Sequence, residues 1–274
     1  MTPTMTKGRA PRGSSPERRV RRNMVKIFWL ETKYEFLKNL RLPIYSLSTL
    51  LFPVMFYIFF GLSFGQGSIG PVSAALYYAV TYGAFGIIGA ALFGFGVTVA
   101  VERGQGWMRL KRACPMPPLA YFVAKIIMSL LFGAMIILTL LLLGALFGGL
   151  QITIPKGALL VTVLMAGALP FCAIGLAIGY LVGPNSAPAI VNLVYLPMAF
   201  AAGLWIPIQA LPRFIQGLAP LLPTYHFAQL ALGVIGASQG GSAWLHLGVL
   251  AAYATVFLLL ALFLYFRDEG KTYG

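Results

Sequence analysis

Apolar runs separated by short polar joints dominate the chain from about residue 42 to 266. A helix crossing a bilayer needs about 20 largely apolar residues. Six segments qualify, at roughly 42 to 64, 72 to 100, 119 to 148, 157 to 182, 187 to 206 and 243 to 266. Their joints carry helix breakers: GQGSIGP after the first, ERGQGWMRLKRACPMPP after the second, QITIPKG after the third and GPNSAP after the fourth. The fifth joint, 207 to 242, is long and unlike the rest. The expected fold class is therefore all-α, a polytopic membrane protein with six transmembrane helices.

Ahead of the first span lies MVKIFWLETKYEFLKNLR, residues 24 to 41. On a helical wheel Glu31, Thr32, Glu35, Lys38 and Asn39 share one arc, and Ile27, Trp29, Leu30, Tyr34, Phe36, Leu37 and Leu40 fill the rest. Lys26 and Lys33 sit at the apolar face, from which long side chains snorkel. This pattern predicts an in-plane amphipathic helix with its acidic arc toward the cytoplasm. Residues 1 to 23, rich in Arg, Ser and Pro, are expected to be a disordered basic extension. They precede the first apolar run by too far to be a secretory signal.

Composition agrees with a membrane protein. Hydrophobic residues make up 59% of the chain and charged ones 9%, with a mean hydropathy of +0.85, against about 25% charged in soluble domains. The formal net charge of +14 is spread between apolar runs, unlike the folded basic face of a nucleic-acid binder. With the N-terminus inside, Lys and Arg number eleven up to Arg41, five from Arg103 to Lys125 and two in the tail 267 to 274. The opposite side holds Lys156 and Arg213. The positive-inside rule then places both termini in the cytoplasm, together with the 101 to 118 loop.

Candidate chemistry is sparse. All six acids, Glu17, Glu31, Glu35, Glu102, Asp268 and Glu269, lie outside the spans or at their edges, whereas proton-coupled carriers usually place an ionisable group inside the bilayer. GQGSIG at 65 to 70 fits a dinucleotide fingerprint but has no preceding strand, and reads as a turn. GLSFG at 61 to 65 fits a nucleophile elbow around Ser63 but closes a membrane helix, with His226 and His246 as its candidate bases and no acid on that side. Gly270-Lys271-Thr272 resembles the end of a phosphate loop, yet Tyr265 stands where that loop requires glycine. Cys114 and Cys172 fall in different environments, so neither a disulfide nor a cysteine metal site is expected. Gly86, Ala90 and Gly94, and likewise Gly175, Gly179 and Gly183, recur at the spacing of close helix packing. The uncharged polar residues of the second and fifth spans, Tyr77, Tyr78, Tyr82, Asn192 and Tyr195, are either interface aromatics or cargo-facing groups.

Two joints together carry a resemblance. The loop after the second span runs through Glu102, Arg103, Gly104, Leu110, Lys111, Arg112, Pro115, Pro118, Tyr121 and Lys125, and the outer joint carries Gly203, Pro207, Leu211, Pro212, Pro220, Pro223 and Tyr225. This pattern resembles the permease subunits of type-2 ATP-binding-cassette (ABC) exporters over residues 24 to 266. Gln105-Gly106-Trp107 departs from it, since the family more often has a small polar residue before the leucine. The resemblance implies a half-transporter that pairs with a second permease copy or a related permease and docks a separate ATPase subunit. ATP and Mg would then be bound by that partner, with no cofactor on this chain. It further implies an ATPase-coupling surface from the in-plane helix and the 101 to 118 loop, through Glu31, Glu35, Glu102, Arg103, Gly104, Arg109, Leu110, Lys111 and Pro115. A substrate path would run past Tyr77, Tyr78, Tyr82, Asn192 and Tyr195, carrying a drug, lipid or glycan, and short outer re-entrant helices in the 207 to 242 joint would lie at its exit. The competing readings are a carrier or channel without an ATPase, and an intramembrane enzyme using Ser63.

Overall fold

The computed structural model describes residues 16–41, 43–63, 67–107, 110 and 118–270. Helix α1 (Pro16–Leu40) begins eight residues before the expected start at Met24, inside the stretch expected to lack structure. Helix α2 (Pro43–Phe56) carries Pro53 in its interior and runs into a π-helical turn, Tyr57–Leu62. Proline has no N–H and crowds the preceding turn, so the ladder is interrupted just where it changes register. A hairpin, β1 (Ser68–Ile69) antiparallel to β2 (Val72–Ser73), then leads into α3 (Ala74–Leu92), whose N-terminus is capped by Ser73 Oγ accepting from Leu76 N.

A second π segment, Phe93–Val97, joins α3 to α4 (Thr98–Gly104). The remaining helices are α5 (Pro118–Phe147), α6 (Ile154–Gly167), α7 (Leu169–Leu181), α8 (Ala187–Ala201), α9 (Arg213–Leu218), α10 (Pro223–Ile235) and α11 (Ala243–Gly270). Among the described residues, four helices are long and apolar enough to cross a membrane: Ala74–Gly104, Leu119–Phe147, Ile154–Leu181 and Ala243–Asp268. The pair Arg213–Leu221 and Pro223–Ile235, bent by 90°, makes a fifth if counted as one broken span.

The first and fifth expected spans are represented by the shorter apolar helices Thr49–Leu62 and Ala187–Ala201. Helix α8 stops early because Gly203 adopts φ +77 and the Leu204 amide closes back onto Ala199 O at 3.1 Å. That left-handed position favours glycine, and a Cβ there would lie 2.9 Å from Ile208 Cβ.

Helix α3 is the centre of the bundle, with every residue except Tyr78 buried. A helix apolar on all sides must be surrounded, and α3 packs against α2, α5, α7, α8 and α10. The glycines of the fourth span serve the expected close approach. A Cβ at Gly175 would stand 3.0 Å from Phe95 Cβ and 3.2 Å from Ala91 O, and one at Gly179 would stand 3.1 Å from Gly96 O. Thus α7 lies directly on the π segment. Gly183 has nothing nearer than Ser186 Oγ at 4.0 Å, and Gly86 accommodates Pro53 and Ile136 instead. Cys172 is buried and free.

Candidate functional site

The densest polar chemistry gathers where α1, α4 and α5 meet. Lys125 enters from α5, four residues after Tyr121, and its ammonium is fully buried. An ammonium among apolar side chains needs charge partners and hydrogen-bond acceptors. Lys125 Nζ reaches Glu35 Oε1 at 2.6 Å, Thr98 Oγ1 at 2.8 Å and Glu102 Oε1 at 3.3 Å, and lies 5.0 Å from the Tyr121 ring centroid. Tyr121 donates its hydroxyl to Glu102 Oε2 at 2.5 Å. Lys38 bridges the same carboxylates from the half-exposed side, bonding Glu102 Oε1 and reaching Glu35 Oε2 at 3.4 Å. Asn39 closes the inner edge by donating to Glu35 O at 2.8 Å.

Two carboxylates and two ammoniums therefore cancel in charge across three helices. Burial pushes the Glu35 carboxyl up more than any single neighbour pulls it down, but the Lys125 and Lys38 ammoniums and the hydrogen bond from Lys125 together hold the group below the ordinary carboxylate value. For Lys38, burial pulls the amine down, yet Glu102 and Glu35 prevail and raise it. A buried ionic cluster of this kind adds little net stability over apolar packing, but it penalises every arrangement that separates its members.

The acidic arc of α1, expected to face the cytoplasm, has two of its members drawn into the bundle. Glu35 and Asn39 are buried against the bundle, while Trp29 and Tyr34 are more than half exposed. The reason lies on α5, where Lys125 demands carboxylates and so turns the polar arc inward. Lys125 and Tyr121 stood in the loop motif without an assigned partner, and Thr98 was missed. A lysine seven residues into a helix that becomes a long apolar span was the available signal for a buried counter-charge.

Arg103, adjacent to Glu102, points the other way. Its guanidinium donates to Asp268 Oδ1 at 2.8 Å and Oδ2 at 3.2 Å, and to Gly179 O at 2.7 Å, with the Tyr180 ring centroid 5.0 Å away. A planar guanidinium matches a carboxylate with two parallel bonds. Neighbouring residues on α4 are thus tied to α1 and α5 on one side and to α7 and α11 on the other.

The rest of the expected coupling set is dispersed. Glu31 is half-buried one turn before Glu35 on α1, Gly104 is exposed beside Pro184, and Leu110 and Trp107 are exposed. Arg109, Lys111 and Pro115 lie outside the described residues.

Of the expected path residues, Tyr77, Tyr82 and Tyr195 are buried, Tyr78 is half-buried and Asn192 is exposed. Tyr82 donates to Trp205 O at 3.0 Å and Tyr195 to Phe85 O at 2.7 Å. Their rings join an aromatic cluster in which Tyr195 stacks on Phe85 at 4.8 Å, Tyr78 on Tyr82 at 5.6 Å and Phe56 on Trp205 at 5.8 Å.

No nucleophile–base pair forms at Ser63. Its Oγ donates to Ile58 O at 3.2 Å, while His226 and His246 bond to each other and to backbone carbonyls. Among the described residues, no group of three or more His, Cys, Asp or Glu is placed to hold a metal ion.

Comparison with known proteins adds a family. Residues 27–236 match the model of the ABC-2 type transporter. The chain is also similar to "Putative transport permease YvfS" of Bacillus subtilis (strain 168), with 28% identity over 237 residues, covering 86% of this chain and 96% of that protein.

Proposed function

The chain belongs to the ABC-2 type transporter family, and from that premise we propose that it is the transmembrane subunit of an exporter driven by a separate ATPase. Family membership makes it a multi-pass transport permease rather than an enzyme. The observation that carries the finer reading is the double tether of α4, through Glu102 to α1 and α5 and through Arg103 to α7 and α11.

On this reading the cytoplasmic face is the one holding both tethers, as the distribution of Lys and Arg favours. The exposed Gly104, Trp107 and Leu110 present the surface on which the ATPase bears. Arg109 and Lys111 supply its charge, and Glu31 lies on the neighbouring helix. Glu35, Glu102 and Arg103 transmit rather than contact: a displacement of α4 carries α1, α5, α7 and α11 with it. The π segment Phe93–Val97 lies just before the tethered turn, where altered hydrogen-bond register allows the inner end of the second span to pivot.

Six crossings follow if α2 with its π turn is the first span and α8 the fifth. Helix α8, at 15 residues, extends only about 22 Å, and the irregular 202–212 segment completes its crossing. The aromatic cluster joining α2, α3 and α8 would form one wall of the path, with Tyr78 and Asn192 offering the accessible polar groups. An uncharged aromatic wall suits an amphiphilic cargo such as a drug, a lipid or a stacked glycan ring. A second copy of the chain or a related permease supplies the facing wall.

The test is co-expression with candidate ABC-type ATPase subunits. One ATPase should copurify with the full chain, and deleting residues 104 to 112 should abolish copurification while membrane insertion persists. Undiminished copurification of the deletion variant would remove the docking assignment.

A further inference from the structure

His226 of α10 and His246 of α11 face each other with Nδ1 to Nδ1 at 2.8 Å, and both residues are almost fully buried, at 4% and 3% exposure. Their other ring nitrogens are also engaged. His226 Nε2 lies 2.9 Å from Pro220 O, and His246 Nε2 lies 3.0 Å from Gly240 O. Carbonyl oxygens only accept, so each Nε2 must carry a hydrogen to make its bond. The arrangement comprises three hydrogen bonds and needs three hydrogens, but two neutral imidazoles carry two. In the neutral pair, whichever tautomers are chosen, at least one contact sets lone pair against lone pair.

We propose that His226 and His246 form a binding site for a single proton, held between the two Nδ1 atoms as an N–H···N bond, and that this proton latches α10 to α11. With it bound, all three contacts have a donor and the pair carries one positive charge. The two backbone carbonyls supply acceptors for the Nε2 hydrogens, and Tyr225 sets its ring edge-on to both histidines, at 5.5 and 6.3 Å between centroids. Gly241, at φ +85, presses the loop onto the His246 ring, where a Cβ would stand 2.9 Å from Nε2.

The helices that pack against α10 and α11 carry Tyr77, Tyr78 and Tyr82 on α3, Lys156 on α6, Cys172 on α7 and Tyr195 on α8, and α11 itself carries Tyr253. Arg213 lies on α9 nearby in sequence. None of these makes a hydrogen bond to either ring. The stretch 207 to 266 contains no Asp or Glu, so no side-chain carboxylate of that region competes for the proton.

The latch responds to pH in both directions. Alkaline conditions remove the shared proton and oppose two lone pairs, while acid conditions add a second and oppose two N–H groups. The seam is tightest between the two limits. Asp268 lies 22 residues beyond His246 on α11, or about 33 Å along a helix. The proton site and the Arg103 tether therefore hold opposite ends of α11.

The deciding experiment is nitrogen-15 NMR of the full chain, labelled at histidine and held in lipid nanodiscs, across a pH titration. The expected result near neutral pH is three ring N–H groups for the two histidines, both Nε2 protonated, with a coupling between the Nδ1 atoms across the shared hydrogen. In His246→Gln, the remaining His226 should lose that coupling. Two ring N–H groups with no Nδ1–Nδ1 coupling would overturn the proposal. So would a spectrum that changes on adding a chelator, since that assigns the site to a metal ion. Because the decisive spectrum is that of the unmutated chain, misfolding of the variant does not weaken it.

Discussion

Replacing Lys125 by Met tests the buried ion cluster most severely. The substitution keeps an unbranched side chain of similar length and removes the ammonium. It deletes contacts at 2.6, 2.8 and 3.3 Å from a fully buried position. Glu35 and Glu102, at 5% and 8% side-chain exposure, are then left to share Lys38, and the four-group cluster changes from neutral to one net negative charge. Removing one partner of a buried pair typically costs about 3–5 kcal/mol, mostly because the surviving charge stays desolvated.

Lys38→Met removes the same formal charge from a side chain that is 43% exposed. Water reaches that flank, so its cost should stay near ~1 kcal/mol. Pairing Lys125→Met with Glu35→Gln restores neutrality and should recover about 0.5–3 kcal/mol relative to the sum of the single changes. Reversible denaturation of the purified chain in nanodiscs, followed by tryptophan fluorescence, compares the parent chain with the Lys125→Met, Lys38→Met and Glu35→Gln single variants and the double variant. Equal losses for the two lysine variants, both below ~1 kcal/mol, would refute the cluster as described.

The remaining predictions address pH, packing and the second tether. Because Glu35 is held below its ordinary value, its contribution is complete above the unfolded carboxylate pKa of ~4.3 and is lost as pH falls through the lower folded value. Acid denaturation curves should therefore flatten in the Lys125→Met, Glu35→Gln double variant. Gly175→Ala must displace backbone atoms at 3.2 Å and should cost about 1–3 kcal/mol, whereas Gly183→Ala, with open space around it, should stay within ~0.5 kcal/mol. Arg103→Lys keeps the charge but loses the two-pronged match to Asp268. It should reduce permease-stimulated ATP hydrolysis more than it reduces thermal stability, as measured on the purified complex.

Much of the architecture was legible because membrane crossing imposes length and apolarity directly on the sequence. The second, third, fourth and sixth apolar segments all stand as long helices. The first and fifth stand as shorter ones, for reasons that lie in three-dimensional detail. Pro53 sits where a π turn follows, and the Gly203 closure stops α8 at Ala201. The wheel of α1 grouped its polar residues correctly but could not say which way they face. That orientation is set by Lys125, about 90 residues away in sequence. Glu102 and Arg103 were singled out as neighbours on one surface, yet the structure sends them to opposite sides of α4. The histidine pair was invisible as a pair, since only folding brings residues 226 and 246 to 2.8 Å.

The most direct test of the account is reconstitution of the full chain in proteoliposomes, with and without the ATPase that copurifies with it, scoring movement of a fluorescent amphiphile away from the ATPase-bearing side. The account predicts movement that requires both subunits and ATP, and that disappears when residues 104 to 112 are deleted. Movement that continues unchanged in the absence of the ATPase would contradict it and identify the chain as a self-sufficient carrier or channel.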